Sequence, residues 1–507
     1  MANFRKTMAC VLSAAALLGL TACDDAAPIE NGGSNAGASN VSPSATTTST
    51  QASTTVDPDA GLELTDKENK VIDTSACPPT GNAGNLRYLG FYDITKDQKG
   101  TEQCLIFQSD LYGGSIEFIS TPSGAAYYDK LANLIASDDS PDIVTKDAML
   151  LPGNVSKNLF EPLDSRIDMN APQWKDISGV VEQFAWKGVH YYYPHRTTTK
   201  YALNYSKKTI EENDLTDPYE LYAKGEWTWE AWRNLMIEFC NKDEKHVGFY
   251  TTNNTITSFI ATTGTTMIDV QPDGTITNNL LSSDVSRAMT FLEGLCRDGL
   301  TYDKSYGDWV SPQVFSTACN NILFTCTEPE WTYIAATENL QNKEGVDNDI
   351  FGEVSEFSFV PFPRDSMADA YYTEFDTFGY LIPKGAKNID GAVEFINLNR
   401  MYDIDPNIQA KVREDHINPE KIVFEKGKYA GYEKWQMKWG EHEYDLWREM
   451  CDPSNFSFIM EDAEGFSVDF TDKIGQLLMG VVERSESWAK TSAEFSPVAD
   501  ATISEYK

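Results

Sequence analysis

Histidines are the side chains with which this chain could most readily do acid–base or metal chemistry. They stand at positions 190, 195, 246, 416 and 442. None pairs with another at the i, i+4 spacing that presents two metal ligands on one helix face, and the sequence has no HExxH, Walker loop, GxGxxG or GxSxG motif. The segment DVQPDGTITNN is typical of a Pro-Asp-Gly turn, because Gln271 and Leu280 stand at two expected ligand positions of a calcium loop. We therefore expect no bound metal.

Carboxylates are abundant, with 77 Asp and Glu residues against 41 Lys and Arg. Glycoside hydrolysis needs two of them facing each other across the scissile bond, and the sequence marks no two as such a pair. The formal net charge of −36 repels phosphate backbones and anionic lipids, which argues against nucleic acid as a partner. The 11 Trp, 24 Tyr and 25 Phe supply core, and rings of this kind also suit sugar recognition. We expect neither catalysis nor a cofactor.

The cysteine with the clearest chemistry is Cys23. Arg5 and Lys6 precede an apolar run, Ala9 to Leu20, that suits a secretory signal and is too short to span a bilayer. The run ends in Leu-Thr-Ala-Cys, which resembles a bacterial lipobox, where cleavage precedes a lipidated cysteine. An ordinary signal peptide with an accidental cysteine is the alternative. We predict a lipoprotein signal peptide over residues 1–23 and lipid attachment at Cys23.

Of the nine cysteines, Cys10 leaves with the signal peptide and Cys23 carries the lipid, and the remaining seven cannot all pair within one chain. Bridges between Cys77 and Cys104 or between Cys319 and Cys326 stay open at this point, and free thiols are the simpler interpretation. Residues 24 to about 60 are rich in Ser, Thr, Asn and Gly and cannot bury a core, so residues 24–85 are predicted to be a flexible linker.

The elements that must position any site begin near Leu86. The segment LRYLGFYD predicts a buried strand that ends at Asp93, and GGSIEFIST predicts a second strand. A helix over SGAAYYDKLANLIAS follows, with one face formed by Ala125, Tyr128, Leu131, Leu134 and Ile135. DIVT then predicts a short strand, so this region is a βαβ unit, which implies a parallel sheet.

Three later helices are predicted by their apolar faces. Thr228 caps the first, whose face consists of Trp229, Trp232, Leu235, Met236 and Phe239. Gly299 closes the second, whose face consists of Val285, Ala288, Met289, Leu292, Leu295 and Cys296. The third presents Ala392, Phe395, Ile396 and Asn399. The fold class is α/β, with short strands such as FSFVPF between the helices.

Four segments in order resemble the extracellular solute-binding proteins of family 1, the maltose-binding-protein-like receptors of ABC importers. They are YYDKLANLIASDDSPDIV, FEPLD, the run from KGVHYYYPHRTTTKY to GEWTWEAW, and TFGYLIPKGAKNIDGAVEFI. The resemblance covers about Leu86 to Lys507. It implies a type II periplasmic-binding-protein fold, two α/β lobes joined by hinge strands. The division it implies is residues 86–195 and 377–452 for the N-lobe, 196–376 for the C-lobe, and 453–507 for a C-terminal helical part.

The resemblance also implies where the ligand lies. Chain crossovers between the lobes are expected near Tyr193–Thr199, Asp376–Tyr380 and Cys451–Phe458, with the ligand between the lobes. Trp331 falls where sugar-binding members place a stacking tryptophan, although FSTACNNILF before it departs from the usual pattern. The other candidates, which stand beside predicted strand ends or crossovers, are Glu330, Tyr92, Asp93, Lys146, Asp147, His195, Arg196, Glu374 and Asp376.

The expected function is that of a lipid-anchored, monomeric receptor on the outer face of the bacterial cytoplasmic membrane. Its ligand would be a carbohydrate, an oligosaccharide by family tendency, delivered to the ABC permease without chemical change. A different small solute is the near alternative. A surface glycoside hydrolase and a polysaccharide-docking lipoprotein are the alternatives from other classes.

Overall fold

The computed structural model describes residues 72–95, 101–250, 253–301, 321–330, 357–418, 421–423, 433–435, 439–484 and 486–506. Cys23 and Trp331, two of the residues singled out by the sequence, lie outside the described residues.

Sixteen strands belong to the described part of the chain. They are β1 (Gly84–Gly90), β2 (Gly114–Ser120), β3 (Ile143–Thr145), β4 (Ala185–Trp186), β5 (Val189–His190), β6 (Tyr193–Thr199), β7 (Ala202–Ser206), β8 (Val247–Phe249), β9 (Ile268–Val270), β10 (Ile276–Asn278), β11 (Ile322–Thr327), β12 (Phe357–Val360), β13 (Tyr372–Leu381), β14 (Lys421–Val423), β15 (Glu433–Trp435) and β16 (Ser457–Ile459).

Thirteen α-helices are described. They are α1 (Thr101–Gln108), α2 (Ala125–Ala136), α3 (Ser178–Gln183), α4 (Lys207–Glu212), α5 (Pro218–Ala223), α6 (Trp229–Cys240), α7 (Asn253–Ala261), α8 (Ser283–Arg297), α9 (Ile389–Ile404), α10 (Pro406–Ile417), α11 (Glu441–Met450), α12 (Val468–Arg484) and α13 (Trp488–Ser504). Among the described residues, no helix combines the length and the apolar character that crossing a membrane requires.

The first sheet has six strands in the order β16-β13-β3-β1-β2, and β6 also pairs with β13. β1 is parallel to both β2 and β3, which confirms the predicted βαβ unit. β13 runs antiparallel to β3 and to β6, and Thr145 at the carboxyl end of β3 lies opposite Tyr380 of β13. This mixed sheet places the ends of strands from distant parts of the chain side by side.

The second sheet has four strands in the order β12-β7-β11-β8. β11 is parallel to β8 and antiparallel to β7. The chain passes between the two sheets twice, from β6 to β7 through Lys200 and Tyr201 and from β12 to β13. After β16 it continues into α12 and α13, which pack against α8 of the second lobe. The segments predicted as crossovers are β6, part of β13, and the residues that lead from α11 into β16.

The predicted helix faces are confirmed for α6 and α9 and almost completely for α8. The Thr228 side chain accepts a hydrogen bond from the Ala231 N–H at the start of α6, and all five apolar residues of its predicted face are buried. Five of the six residues predicted for α8 are buried, and Gly299 follows that helix with a φ of 72°. Gly274 likewise has a φ of 87° in the predicted turn between β9 and β10.

Three local predictions are corrected. β1 ends at Gly90 rather than at Asp93, because the Asp93 carboxylate accepts hydrogen bonds from the Thr95 N–H (3.0 Å) and hydroxyl (2.6 Å) and so turns the chain. The buried face of α2 includes Tyr127 and leaves Ala125 exposed. This rotation has a polar cause, since the Tyr127 hydroxyl donates to the Thr145 carbonyl at 2.7 Å.

The third correction concerns the ends of predicted segments. Residues 72–85, predicted to belong to the linker, pack on the folded body: Ile72 is 2% exposed and the Asp73 N–H donates to the Asp405 carboxylate at 2.9 Å. Helix α11, predicted within an N-lobe segment, packs against both β6 of the first sheet and β12 of the second. Its Glu443 carboxylate accepts a hydrogen bond from the Ser358 hydroxyl at 3.1 Å and forms an ion pair with Lys207, whose Nζ lies 2.5 Å from Oε1.

Candidate functional site

The carboxyl end of β3 meets the middle of β13 through an ion pair. Lys146 follows β3 directly, and its Nζ lies 2.7 Å from Oδ1 of Asp376 on β13. Burial by itself raises the pKa of Asp376, but the charge and hydrogen bond of Lys146 lower it overall. The Asp376 side chain keeps 46% of its surface exposed, so the pair is open to other hydrogen-bonding partners. The two predicted residues are thus brought together at one place.

Arg196 lies on β6, opposite Phe378 of β13 in the strand register. Its guanidinium carbon lies 4.4 Å from the centre of the Phe378 ring. Burial lowers the pKa of Arg196, but the charges of Glu330 and Asp403 more than compensate and raise it. The Nε atom is buried and has no hydrogen-bond partner within the described structure. Arg196 therefore carries a fixed charge and one donor that the described side chains leave unused.

Glu330 follows β11 of the second sheet and is 6% exposed. Its Oε1 lies 3.2 Å from Nε2 of His416, at the end of α10. Burial raises the pKa of Glu330, but the hydrogen bond from His416 and the charge of Arg196 lower it overall, so the carboxylate is ionised at neutral pH. The opposite charges of Glu330, which follows the second sheet, and of Arg196 on β6 thus stabilise each other.

A second ion pair lies deeper, between the first crossover and β13. Lys200 Nζ lies 2.7 Å from Glu374 Oε1, and the Glu374 side chain is only 1% exposed. The other Glu374 oxygen accepts hydrogen bonds from the Thr257 hydroxyl (3.2 Å) and the Ser258 hydroxyl (2.5 Å) of α7. All these contacts are within the protein, so Glu374 ties β13 to the second lobe.

Asp147 also has an internal role. It is 2% exposed, and its two carboxylate oxygens accept hydrogen bonds from the Gly124 N–H at 2.7 Å and the Ala148 N–H at 2.8 Å. These contacts fix the start of α2 against the end of β3. Asp93, as described above, turns the chain after β1.

Tyr92 and His195 border the same region. Tyr92 follows β1, is partly exposed, and packs its ring edge-on against Phe91 with centroids 5.1 Å apart. His195 bonds through Nδ1 to the Asp403 carboxylate and stacks on Tyr380, with ring centroids 5.9 Å apart. Tyr92 therefore offers an aromatic surface near the strand ends, whereas the polar atoms of His195 serve the contact with α9.

The segment that follows β16 carries two buried carboxyl groups that sequence reasoning missed. Glu461 accepts hydrogen bonds from the N–H groups of Met267 (2.8 Å) and Ile268 (3.1 Å), and Asp462 accepts one from the Val270 N–H at 2.7 Å. These donors belong to β9 and the residue before it. The two carboxyl groups accept the N–H groups of β9 as a neighbouring strand would. They therefore attach the segment after β16 to the second lobe.

Sequence reasoning also missed His416 and Lys200. Neither stands in a motif, and His416 lies far along the chain from its partner Glu330. Lys200 directly follows the predicted crossover, which was the available signal. The described residues hold no group of three or more His, Cys, Asp or Glu side chains arranged for a metal ion. The six cysteines within the described ranges are free thiols.

The arrangement suits recognition of a polar solute. Arg196 lies opposite Phe378, two residues along β13 from Asp376, so an open ion pair, an unused arginine donor and an aromatic ring lie on neighbouring positions of one sheet. Ligands of open α/β sheets bind outside the carboxyl ends of strands, and clefts between lobes bury most of a small solute. The two sheets and their connecting strands define a two-lobed solute-binding protein of the type II periplasmic class.

Comparison with known proteins assigns the chain more closely. The sequence profile of bacterial extracellular solute-binding proteins matches residues 106–401, more than half of the chain, and the protein belongs to that family. The match agrees with the family-1 resemblance read from the sequence. No curated protein sequence matches the chain.

Solved structures share the fold at low sequence identity. The cyclic alpha-maltosyl-1,6-maltose binding protein of Arthrobacter globiformis aligns at a TM-score of 0.58 and 12% identity, over 83% of this chain and 98% of its own. The GacH receptor of Streptomyces glaucescens, described with acarbose, aligns at 0.55 and 13%, over 84% and 99%. UgpB of Mycobacterium tuberculosis, in complex with glycerophosphocholine, aligns at 0.56 and 14%, over 84% and 100%. The family assignment identifies the chain as an extracellular solute-binding protein, and the solved structures support its fold.

Proposed function

We propose that the protein binds a carbohydrate, most suitably an oligosaccharide, between its two lobes and delivers it unchanged to the permease of an ABC importer. The observation that carries the proposal is the partly exposed Lys146–Asp376 pair on β13, two residues from the position opposite Arg196, whose charge is coupled to that of Glu330 after the second sheet. Charged groups that keep free hydrogen-bonding capacity suit sugar hydroxyls, and hydrogen bonds to charged groups are the stronger ones.

The aromatic residues support the sugar assignment. Tyr92 is partly exposed beside the strand ends, and Phe378 underlies Arg196. Trp331 directly follows Glu330 in the sequence, so a stacking role for this tryptophan stays part of the proposal. Two of the three structural neighbours above are named with carbohydrate ligands or a carbohydrate-like inhibitor, which is further support for a carbohydrate.

The anchoring that we propose rests on the leader alone. Signal cleavage before Cys23 and lipidation of its thiol would hold the monomeric body at the outer face of the cytoplasmic membrane, close to the permease. Mass spectrometry of the mature protein would show a diacyl- or triacyl-modified Cys23 as its first residue. A mature N-terminus elsewhere would contradict the anchor and leave the solute-binding proposal intact.

The first test is a thermal-shift screen of the protein without its signal peptide against mono- and oligosaccharides. A ligand that binds only the folded state stabilises it by about 2.7 kcal/mol at a concentration of 100 Kd, so a rise of several degrees is expected for one short oligosaccharide. The ligand should be recovered unchanged. Cleaved sugar would identify a hydrolase, and binding of long polymers alone would identify a docking protein.

Matched variants decide whether the site is correctly placed. Asp376→Asn and Trp331→Ala should each reduce or abolish the shift while leaving unfolding of the free protein cooperative. Asp390→Asn serves as the control. Asp390 lies on the exposed first turn of α9, where its carboxylate pairs with Arg166. An undiminished shift in both test variants would place the ligand elsewhere.

A further inference from the structure

The hydrogen bonds of His416 define its chemistry. Nδ1 lies 2.7 Å from the carbonyl oxygen of Val412 on the same helix, and a carbonyl can only accept, so Nδ1 carries a proton. Nε2 lies 3.2 Å from Oε1 of Glu330. A neutral ring would direct a lone pair from Nε2 at an ionised carboxylate. The contact is attractive only when a further proton lies between the two groups.

The surroundings decide which partner holds that proton. Glu330 is also close to Arg196, and the charge of this guanidinium together with the His416 bond lowers the pKa of Glu330. The carboxylate is therefore the ionised partner, and His416 donates from both ring nitrogens. The pair is well shielded, because the two side chains are only 7% and 8% exposed.

Aromatic rings fix the imidazole in this position. The ring stacks on Trp447 with centroids 5.5 Å apart and meets Trp439 edge-on at 5.0 Å. The Tyr444 ring lies 5.4 Å away. The backbone N–H of Trp439 donates a hydrogen bond to the backbone carbonyl of His416 at 2.8 Å. His416 therefore has little freedom to turn away from Glu330.

We propose that His416 is a positioning residue for ligand binding: its Nε2–H holds Glu330 as an ionised, fixed acceptor beside Arg196, ready for a sugar hydroxyl. The inference rests on the proposed function, because it assigns Glu330 to the ligand site. It adds a residue that does not itself touch the ligand but sets the charge and direction of one that does.

The other groups around the ring do not replace this donor. Glu328 is acidic, and its Oε1 accepts from the Glu330 N–H at 3.3 Å. Tyr444 of α11 faces the ring edge, and burial raises the pKa of its hydroxyl although Arg448 and Arg413 lower it. Arg196 approaches Glu330 from β6. Loss of the His416 donor therefore removes the hydrogen bond to Oε1 of Glu330, while the charge of Arg196 remains.

Two substitutions separate the donor from the ring. Glutamine at position 416 retains an N–H donor that does not titrate, whereas leucine fills space without donating. With the oligosaccharide identified by the screen as probe, His416→Leu should weaken binding about 10- to 100-fold at pH 7, as expected for a lost hydrogen bond to a charged group. His416→Gln should bind within about threefold of the wild type.

The contrast between the two variants distinguishes positioning from packing. His416→Gln keeps a donor that can reach Oε1 of Glu330, whereas His416→Leu keeps only the apolar contacts with the surrounding rings. His246→Gln is the control, since His246 Nδ1 likewise bonds a carbonyl, that of Phe239 at 2.8 Å, and lies beside β8. Equal losses of affinity in His416→Gln and His416→Leu, or wild-type affinity in His416→Leu, would overturn the proposal.

Failure of the proposed function would be visible separately. If no carbohydrate shifts the wild type, the ring nitrogens of His416 still report on its role by ¹⁵N NMR, assigned by their loss in His416→Gln. Both nitrogens should be protonated at pH 7. An unprotonated Nε2 there would overturn the positioning role whatever the ligand.

Discussion

The two ion pairs at the meeting point of the sheets differ in what they can do. Glu374 is almost completely buried and receives Lys200 and two hydroxyl groups, so removing one partner would leave a buried charge at a cost of about 3–5 kcal/mol. The Lys146–Asp376 pair is partly exposed, and such pairs contribute about 0–1 kcal/mol to stability. The Lys146–Asp376 pair adds little to the free energy of unfolding, so ligand recognition explains its presence better than folding does. Asp376 is therefore the stronger ligand candidate of the two predicted carboxylates on β13.

Glu461 makes stability depend on pH in an unusual direction. Burial raises its pKa from 4.5 to about 8, against the N–H bonds from Met267 and Ile268, and the charge of Glu374 adds to the rise. Between pH 4.5 and 8 the folded state therefore binds more protons than the unfolded state. The free energy of unfolding should fall by about 2–5 kcal/mol as pH rises through this window.

Urea unfolding at pH 5, 6.5 and 8 measures this effect. In Glu461→Gln, the contribution of this carboxyl to the pH slope should vanish, so the difference from the wild type shrinks as pH rises. Glu464→Gln removes the same charge three residues further on and should preserve the wild-type slope. Parallel wild-type and Glu461→Gln profiles would show that Glu461 does not titrate in this range.

At the scale of elements, residues 461–466 form a wedge between the lobes. On one side the carboxylates of Glu461 and Asp462 hold the edge of β9. On the other side the Met149 N–H donates to the Glu464 carbonyl at 3.2 Å, and Gly465 lies directly against the turn Leu150–Asn154 that follows β3. The wedge therefore touches both lobes close to the predicted third crossover.

Gly465 sets how closely the wedge approaches the first lobe. A Cβ atom at this position would lie 1.6 Å from the Leu151 carbonyl oxygen, so Gly465→Ala must displace backbone. We expect a loss of about 3 kcal/mol or more in stability, measured by urea unfolding. Gly179→Ala in α3 is the control, because nothing lies within 4 Å of its added methyl group, and it should gain about 0.5–1 kcal/mol. Equal stability of the two variants would mean that residues 461–466 can shift away from Leu151 without a loss in the free energy of unfolding.

Sequence reasoning predicted elements best where one force dominates. The apolar spacing and Thr228 cap of α6 determine its face completely, so that helix was predicted residue by residue. The face of α2 was predicted wrongly by a partial rotation, because the hydroxyls of Tyr127 and Tyr128 bond backbone carbonyls and hold both rings inside. Such polar contacts between distant segments leave no periodic signal in the sequence.

The candidate site shows the same limit. Lys146, Arg196 and Asp376 were identified because they stand beside strand ends or crossovers, which local sequence can indicate. The sequence cannot indicate that Glu330 meets His416, 86 positions later, since that contact depends on how α10 packs. It also cannot tell an open carboxylate from a buried one, which separates Asp376 from Glu374.

At the scale of the molecule, the two lobes share much of their interior. One continuous apolar cluster contains Tyr88 and Leu89 of the first sheet together with Leu203 and Phe324 of the second. Helix α7 packs on β13 across the division, and its Ser258 bonds Glu374. Any closure of the lobes on a ligand would therefore have to preserve or rearrange these shared contacts.

This shared interior predicts a single unfolding transition. If the lobes were held together by their connections alone, each would melt at its own temperature and only the lobe contacting the ligand more strongly would be stabilised. With a continuous core, exposing one lobe exposes apolar surface of the other, so calorimetry should give one peak with a calorimetric enthalpy equal to the van't Hoff enthalpy. Saturating ligand should move that peak as a whole, because closure stabilises both lobes through the same site. Two resolved peaks, with only one shifted by ligand, would show that the lobes are thermodynamically independent and that the crossovers transmit no stability between them.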